Sequence, residues 1–255
     1  MPASASLPLP ENYFGEEVAA RYDDSESPMF TPEAIDPAVD FLAQLAGDGP
    51  ALELGIGTGR IALPLAARGV RVHGIDLSEA MVARLRAKPG GDAIDVTIGD
   101  FATTRVAGEF ALAYLVLNTI NNLTTQDAQV ACFENVSAHL RPGGAFVIEV
   151  GVPSLQQVPF GKTLRAFHVS DTYVGLDEYD VVNQGLISHH LRADEDGRFR
   201  KRSIPFRYVW PSELDLMARI AGMTLHERYA DWHREPYTCE STKHISVWRK
   251  GREGV

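Results

Sequence analysis

The stretch Glu53-Leu54-Gly55-Ile56-Gly57-Thr58-Gly59-Arg60 decides how this chain reads. It joins a short apolar run, Ala51 to Leu54, to a helical pattern over Ile61 to Arg68 that Gly69 stops. Glycines at a strand-to-helix turn permit a sharp reversal and let a ligand approach the main chain closely. The helix behind them offers unpaired N–H groups to a polar or anionic ligand. Spacing narrows the ligand. These glycines run G-x-G-x-G, whereas the dinucleotide fingerprint runs G-x-G-x-x-G. No Gly-Lys-Ser/Thr follows, which excludes a Walker A loop.

Downstream, strands and helices alternate. Val70 to Ile75 reads as a strand ending in Gly74-Ile75-Asp76-Leu77-Ser78, where a carboxylate can accept both ribose hydroxyls of an adenosine. Ser78 can cap a helix running to about Lys88. Ile94 to Ile98 is a third strand, closed by Gly99-Asp100-Phe101, which sets a carboxylate and an aromatic ring where an adenine would lie. Singly, Asp76 reads equally as a turn residue and Phe101 as core. Phe110 to Leu117 is a fourth strand. A helix over Thr124 to Leu140 follows, closed by Arg141-Pro142-Gly143-Gly144. The fifth strand, Ala145 to Val150, is apolar on both faces apart from Glu149, as suits the middle of a parallel sheet covered by helices on both sides. The alternation breaks between about Gly151 and Trp210, where four strand patterns occur (Thr163 to Val169, Asp177 to Val182, Leu186 to Ala193, Arg198 to Val209). It resumes with a helix over Pro211 to Ala221 and strands near Leu225 to Tyr229 and His244 to Arg249.

Upstream, residues 1–10 are rich in Pro, Ser and Ala and read as a disordered tail. Helical patterns follow over Asn12 to Tyr22 and Pro32 to Ala46, the second with Ile35, Val39, Leu42 and Ala46 along one face. The 255 residues fit one α/β domain over 11–250, with an N-terminal helical cap (11–48) and a β-rich insertion (151–210) serving as lid or dimer interface. A net charge of −10 argues against nucleic acid as the main partner. The basic run Arg198-Phe199-Arg200-Lys201-Arg202 reads as a solvated hairpin end. Cys132 and Cys239 give neither a disulfide framework nor metal spacing, and no metal is expected. With no signal-peptide pattern and no apolar spanning segment, the expectation is a cytoplasmic protein without a membrane partner.

Glu-Leu-Gly-x-Gly-Thr-Gly-Arg, Gly-Ile-Asp-Leu-Ser and Gly-Asp-Phe, in this order and spacing, resemble the class I S-adenosylmethionine (SAM)-dependent methyltransferase family over most of residues 51–250. The resemblance implies a doubly wound, seven-stranded Rossmann-like sheet with an antiparallel last strand, and SAM as cofactor. It implies that Gly55, Gly57 and Gly59 face the methionine part of SAM, supported by Glu53. Asp76 would hold the ribose, Asp100 and Phe101 the adenine, and Thr58, Leu77, Leu117 and Asn118 would complete the site. Ala20-Arg21-Tyr22-Asp23 and the β insertion are similar to the branch containing sugar N,N-dimethyltransferases. The activity implied is methyl transfer to an N, O or C atom of a small molecule, such as a natural-product intermediate. The alternatives are a non-catalytic SAM-binding or assembly protein and, less favoured by the glycine spacing, a nicotinamide-dependent oxidoreductase.

Ligands of such sheets bind beyond the carboxyl ends of the strands where strand order reverses. Residues after strand four, Asn118-Thr119-Ile120-Asn121-Asn122, should therefore border the transferring methyl; the Asn/Asp-Pro-Pro-Tyr/Phe motif of base-modifying relatives is absent. Glu149, charged in an apolar run, must be paired, hydrated or neutralised. His233, in Asp231-Trp232-His233-Arg234-Glu235-Pro236-Tyr237, is the leading base candidate, with Glu149 and Tyr22 as the other catalytic candidates. Arg21 is a candidate for the SAM carboxylate and Tyr22 for the sulfonium. Tyr13, Asn121, His168, Trp232 and Tyr237 are candidates for acceptor contact. Adjacent His189 and His190 must point to opposite faces of a strand.

Overall fold

Continuous apolar runs place the core. β1 (Ala51–Leu54) and β4 (Phe110–Leu115) are buried at every position, as strands covered on both faces must be. With β2 (Val72–Asp76), β3 (Asp95–Ile98) and β5 (Leu140–Gly151) they form the parallel part of a seven-stranded sheet in the order β10-β11-β5-β4-β1-β2-β3. β11 (Lys243–Lys250) is antiparallel to both β5 and β10 (Met223–Tyr229), so β10 runs with the parallel strands. Strand order reverses between β1 and β4, and the carboxyl ends of those strands therefore open the crevice that positions the site. The structure is a computed structural model and describes residues 13–23 and 28–251. The tail expected over residues 1–10 lies outside the described residues.

Helices cover both faces of the sheet. On one face α2 (Pro32–Ala46) and α3 (Ala62–Ala67) bury Val39, Leu42 and Leu65 against Leu112, Tyr114 and Val147. On the other, α5 (Gln126–His139) and α6 (Pro211–Ile220) bury Phe133, Val136 and Met217 against Leu115, Phe146 and Trp248. α4 (Glu79–Arg86) starts where expected, because the Ser78 Oγ accepts the Met81 N–H. The short α1 (Glu16–Tyr22) packs against α4.

One reading needs correction. Arg141-Pro142-Gly143-Gly144 does not separate helix from strand: β5 begins at Leu140, opposite Phe110, and these residues form an irregularity before Ala145 meets Leu112. The β-rich 151–210 segment forms a second sheet of four strands. Its strands β6 (Leu164–Val169), β7 (Tyr173–Asp180), β8 (Gly185–Ala193) and β9 (Phe199–Arg207) pair only with one another, as an antiparallel meander. His189 and His190 do point to opposite faces: His189 lies between Glu178 and Ser203, and His190 meets the Tyr173 hydroxyl.

Candidate active site

The glycine turn lies against two neighbours. Gly55 has φ +71°, and a Cβ there would sit 2.7 Å from Cγ2 of Thr119; Gly59 has φ +80°, and its Cβ would sit 2.9 Å from Cδ1 of Leu85. A side chain at either position would meet both backbone strain and a clash, so the turn requires glycine. Beyond it, the Asp76 carboxylate accepts the Gly57 N–H on Oδ2 (2.7 Å) and the Ser78 N–H on Oδ1 (2.8 Å). A carboxylate has about four acceptor positions, so each oxygen keeps capacity for a ligand hydroxyl. Burial raises the Asp76 pKa, and these N–H groups oppose the rise. Leu77, next in the chain, is 62% exposed, an apolar surface beside that carboxylate. At the tip of β3, Asp100 Oδ1 accepts the Ala102 N–H, and the Phe101 carbonyl is held by the Asn135 amide. The Phe101 ring borders Gly55, 3.9 Å from the position of its missing Cβ. Motif residues from three strand tips thus meet.

Under the turn, Glu53 is buried and accepts the Tyr114 hydroxyl at 2.9 Å. Burial pushes its pKa up to about 8 against the opposing effects of that bond and of Arg60. Over the turn lies the N-terminal cap. Tyr22 sits edge-on to Phe14 and Phe30, with ring centroids 6.4 and 6.1 Å away. Burial raises its hydroxyl pKa, tempered by the nearby Arg60 charge.

Beside the turn a cavity of about 620 Å³ opens at the tips of β4 and β5, walled by Met29, Pro37, Arg60, Leu117, Asn118, Glu149, Trp232, His233 and Lys243, among others. Glu149 is the paired charge that its apolar strand required. Its Oε1 accepts Nζ of Lys243 (2.9 Å) and Nε1 of Trp232 (3.1 Å), and its Oε2 accepts the Leu117 N–H (3.2 Å). Leu117 and Asn118 are both left-handed, with φ 56° and 62°. Such a pair is strained and typical of sites that the surroundings over-determine.

Of the sequence candidates, Glu149, Trp232, His233, Leu117 and Asn118 line this cavity. Trp232 is mostly core, at 9% exposure, with its N–H on Glu149. Five other candidates, Arg21, Tyr13, His168, Tyr237 and Asn121, stand apart from the cavity wall. Arg21 is exposed and forms no ion pair among the described residues. Tyr13 packs on Phe14 and beneath Arg202. His168 is exposed on β6 and leans on Tyr173, and Tyr237 packs edge-on to His244. Asn121 lies in the turn after β4, its buried Oδ1 without a hydrogen-bond partner among the described residues. Sequence reasoning passed over Arg60, Lys243, Asp23 and Lys88. Arg60 carried a signal, since it directly follows Gly59; its Nη1 donates to the Met29 carbonyl at the cavity wall. Among the described residues no cluster of three potential ligands could hold a metal ion, and no helix is long and apolar enough to cross a membrane.

Comparison with known proteins agrees with this geometry. Residues 51–144 match the family described as "Methyltransferase domain". The CcbJ methyltransferase from Streptomyces caelestis, of solved structure, is 37% identical, with a TM-score of 0.82 over 94% of this chain and 99% of that one. The putative methyltransferase YqeM of Bacillus subtilis is 30% identical over 74% of this chain and 79% of its own length. The cypemycin N-terminal methyltransferase of a Streptomyces species is 27% identical over 77% and 81%. The glycine turn, the acidic strand tips and these likenesses converge: the chain belongs to the class I SAM-dependent methyltransferase family.

Proposed function

We propose that the protein methylates an amine nitrogen of a small molecule whose apolar body occupies the cavity beside the glycine turn. The observation that carries this reading is the cavity wall, which offers apolar surface from Met29, Pro37 and Trp232 and three carboxylates, Glu33, Glu149 and Asp231, against two cations, Arg60 and Lys243. An excess of acceptors over cations favours an ammonium-forming group over a polyanion. The cypemycin enzyme, named for acting at an N-terminus, lends the same reading support.

The residues present fit SAM: a turn that excludes Cβ atoms, the Asp76 carboxylate with spare acceptor capacity beside it, and the exposed Leu77 and the Phe101 ring as apolar surface near that turn. Gly55, Gly57, Thr58, Gly59, Asp76, Leu77, Asp100, Phe101, Leu117 and Asn118 would hold it, with Tyr22 over the sulfonium and Arg60, in place of Arg21, toward its carboxylate. When bound, SAM supplies a methyl group on an already cationic sulfur, so this chemistry needs mainly alignment and exclusion of water. The cavity wall would orient the acceptor nitrogen so that its lone pair faces the methyl group that bound SAM supplies. The proton that the acceptor nitrogen must shed would pass to the His233 imidazole in the cavity wall or to water. The β6–β9 meander acts as a lid: Arg202 ties it to Glu17 of the cap at 2.7 Å, and Arg207 ties its base to Glu213 of α6 at 2.7 Å.

The test is turnover of SAM to S-adenosylhomocysteine with matched amines, alcohols and phenols of similar bulk. Methylated amines support the proposal, and turnover confined to hydroxyl acceptors refutes it. Binding of SAM without turnover on any of them would favour a non-catalytic role.

A further inference from the structure

Thr58 is the residue between the second and third glycines of the turn, and it is 1% exposed. Its flanking glycines are left-handed, with φ +55° and +80°. The orientation of the Thr58 peptide therefore decides where the N–H groups of the turn point. Two side chains grip that peptide from opposite sides. The Thr58 hydroxyl donates to Oδ1 of Asp23 at 2.6 Å, while the Thr58 carbonyl accepts Nζ of Lys88 at 2.7 Å. The loop of contacts is closed by Lys88 and Asp23 themselves, whose Nζ and Oδ2 lie 2.7 Å apart with both side chains about two-thirds shielded. Charge-assisted bonds in a partly dry setting are the strong kind.

The two grips come from different parts of the chain. Lys88 lies just past the end of α4, and Asp23 is the residue that ends α1. The start of the cap is fastened as well, since the Ser78 hydroxyl donates to the carbonyl of Phe14. Each end of the cap helix is thus anchored in one of the two strand-end turns that hold Asp76 and the glycines. Tyr22, adjacent to Asp23, is carried over the pocket by this fastening.

We propose that Asp23 and Lys88 are positioning residues for SAM: together they lock the Thr58 peptide and the cap in one arrangement, so that the turn is shaped and the cap closed as a single event. The inference rests on the SAM-binding reading of the glycine turn. Neither residue need touch the acceptor, so the loss should appear in SAM affinity and release and leave the chemical step alone.

The experiment titrates S-adenosylhomocysteine into the full-length protein by calorimetry and follows its release by stopped flow. Wild type must bind first; failure there overturns the SAM-site reading and this inference with it. Asp23→Ala and Lys88→Met are each expected to weaken binding about 10-fold, the loss of roughly one charge-assisted bond. The change should fall in the dissociation rate, with kcat at saturating SAM and acceptor KM within about 3-fold of wild type. Because the two side chains act as one clamp, the double variant should bind no more weakly than either single variant. Asp23→Asn, which still accepts the Thr58 hydroxyl, should recover part of the loss. Should Asp23→Ala fold poorly, Lys88→Met and Asp23→Asn carry the test. Wild-type binding with unchanged affinity in the variants, or losses that simply add in the double variant, would overturn the proposal and leave the SAM site standing.

Discussion

Asn118 accepts the Gly151 N–H on its Oδ1 at 2.6 Å, fastening the tip of β4 to the tip of β5 across the cavity mouth. A second bond, from the Asn118 N–H to the Glu149 carbonyl (3.1 Å), doubles the fastening. Both need Asn118 in its left-handed conformation, which asparagine tolerates and most residues do not. Asn118→Ala should therefore cost about 2–3 kcal/mol, combining the strain and the lost bond. Asn118→Gly relieves the strain and still loses the bond, so thermal stability should rank wild type above glycine above alanine. Equal melting temperatures for the two variants would remove the conformational argument.

The Glu149 carboxylate receives three donors, two of them fixed by the fold (Leu117 N–H and Trp232 Nε1–H) and one, Lys243, charged. Glu149→Gln keeps the volume but discards the charge that Lys243 pairs with, and an amide nitrogen would face one of the donors. The acceptor side of the cavity should suffer more than the adenosyl side, which Glu149 reaches only through the Leu117 N–H. Steady-state kinetics should show kcat/KM for the acceptor falling about 10-fold or more, a larger loss than that in S-adenosylhomocysteine affinity. An unaltered kcat/KM would detach Glu149 from the acceptor site.

Glu53 makes stability pH-dependent. Its folded pKa is raised to about 8 from an ordinary 4.5 by burial. A raised carboxylate holds its proton in the folded state after the unfolded chain has lost its own. Its contribution is therefore fully present below about pH 4.5 and declines as pH rises toward about 8, at up to about 1.4 kcal/mol per unit for one proton. Glu53→Gln, neutral at every pH and still able to accept from Tyr114, should flatten the slope of urea-unfolding free energy between pH 5 and pH 8. Parallel slopes for variant and wild type would contradict this assignment.

Much of the fold was legible because continuous burial leaves a continuous apolar signature. Ala51–Leu54 and Pro32–Ala46 have the limits expected from sequence, and Glu149 stood out as the one charge in an apolar strand. Arg141-Pro142-Gly143-Gly144 misled because turn residues also serve within a strand where the pairing register shifts. The four inserted strands were visible singly, but strand patterns do not say which strands pair, so the separate meander was not. The geometry of the glycine turn was readable since its glycines and Asp76 sit in contiguous motifs. The contacts of Asp23, Lys88 and Lys243 were not, because each is made with a partner far along the chain: Asp23 meets Thr58 35 residues away, and Lys243 meets Glu149 94 residues away. The positions of Arg21 and His168 off the cavity wall have the converse cause, a side chain whose direction sequence does not fix.

His244 should govern sensitivity at the acid end. It is buried on β11, its Nδ1 meets Ser246 Oγ at 2.8 Å, and its Nε2 has no hydrogen-bond partner among the described residues. Burial first, then the charge of Arg228, lowers its pKa to about 4. The unfolded chain takes up this proton near the ordinary value of 6.5 while the folded protein refuses it. The contribution is thus fully present above about pH 6.5 and is lost as pH falls toward about 4, again at up to about 1.4 kcal/mol per unit. His244→Phe removes the titrating group, keeps an aromatic ring edge-on to Tyr237, and leaves Ser246 its bond from Arg228 Nε at 2.7 Å. Carboxylates titrating over the same range are common to both proteins, so the difference between them isolates His244. The variant should lose less stability than wild type on going from pH 6.5 to pH 4.5 in urea titrations. If the two lose equal amounts, the buried imidazole is not what opposes acid.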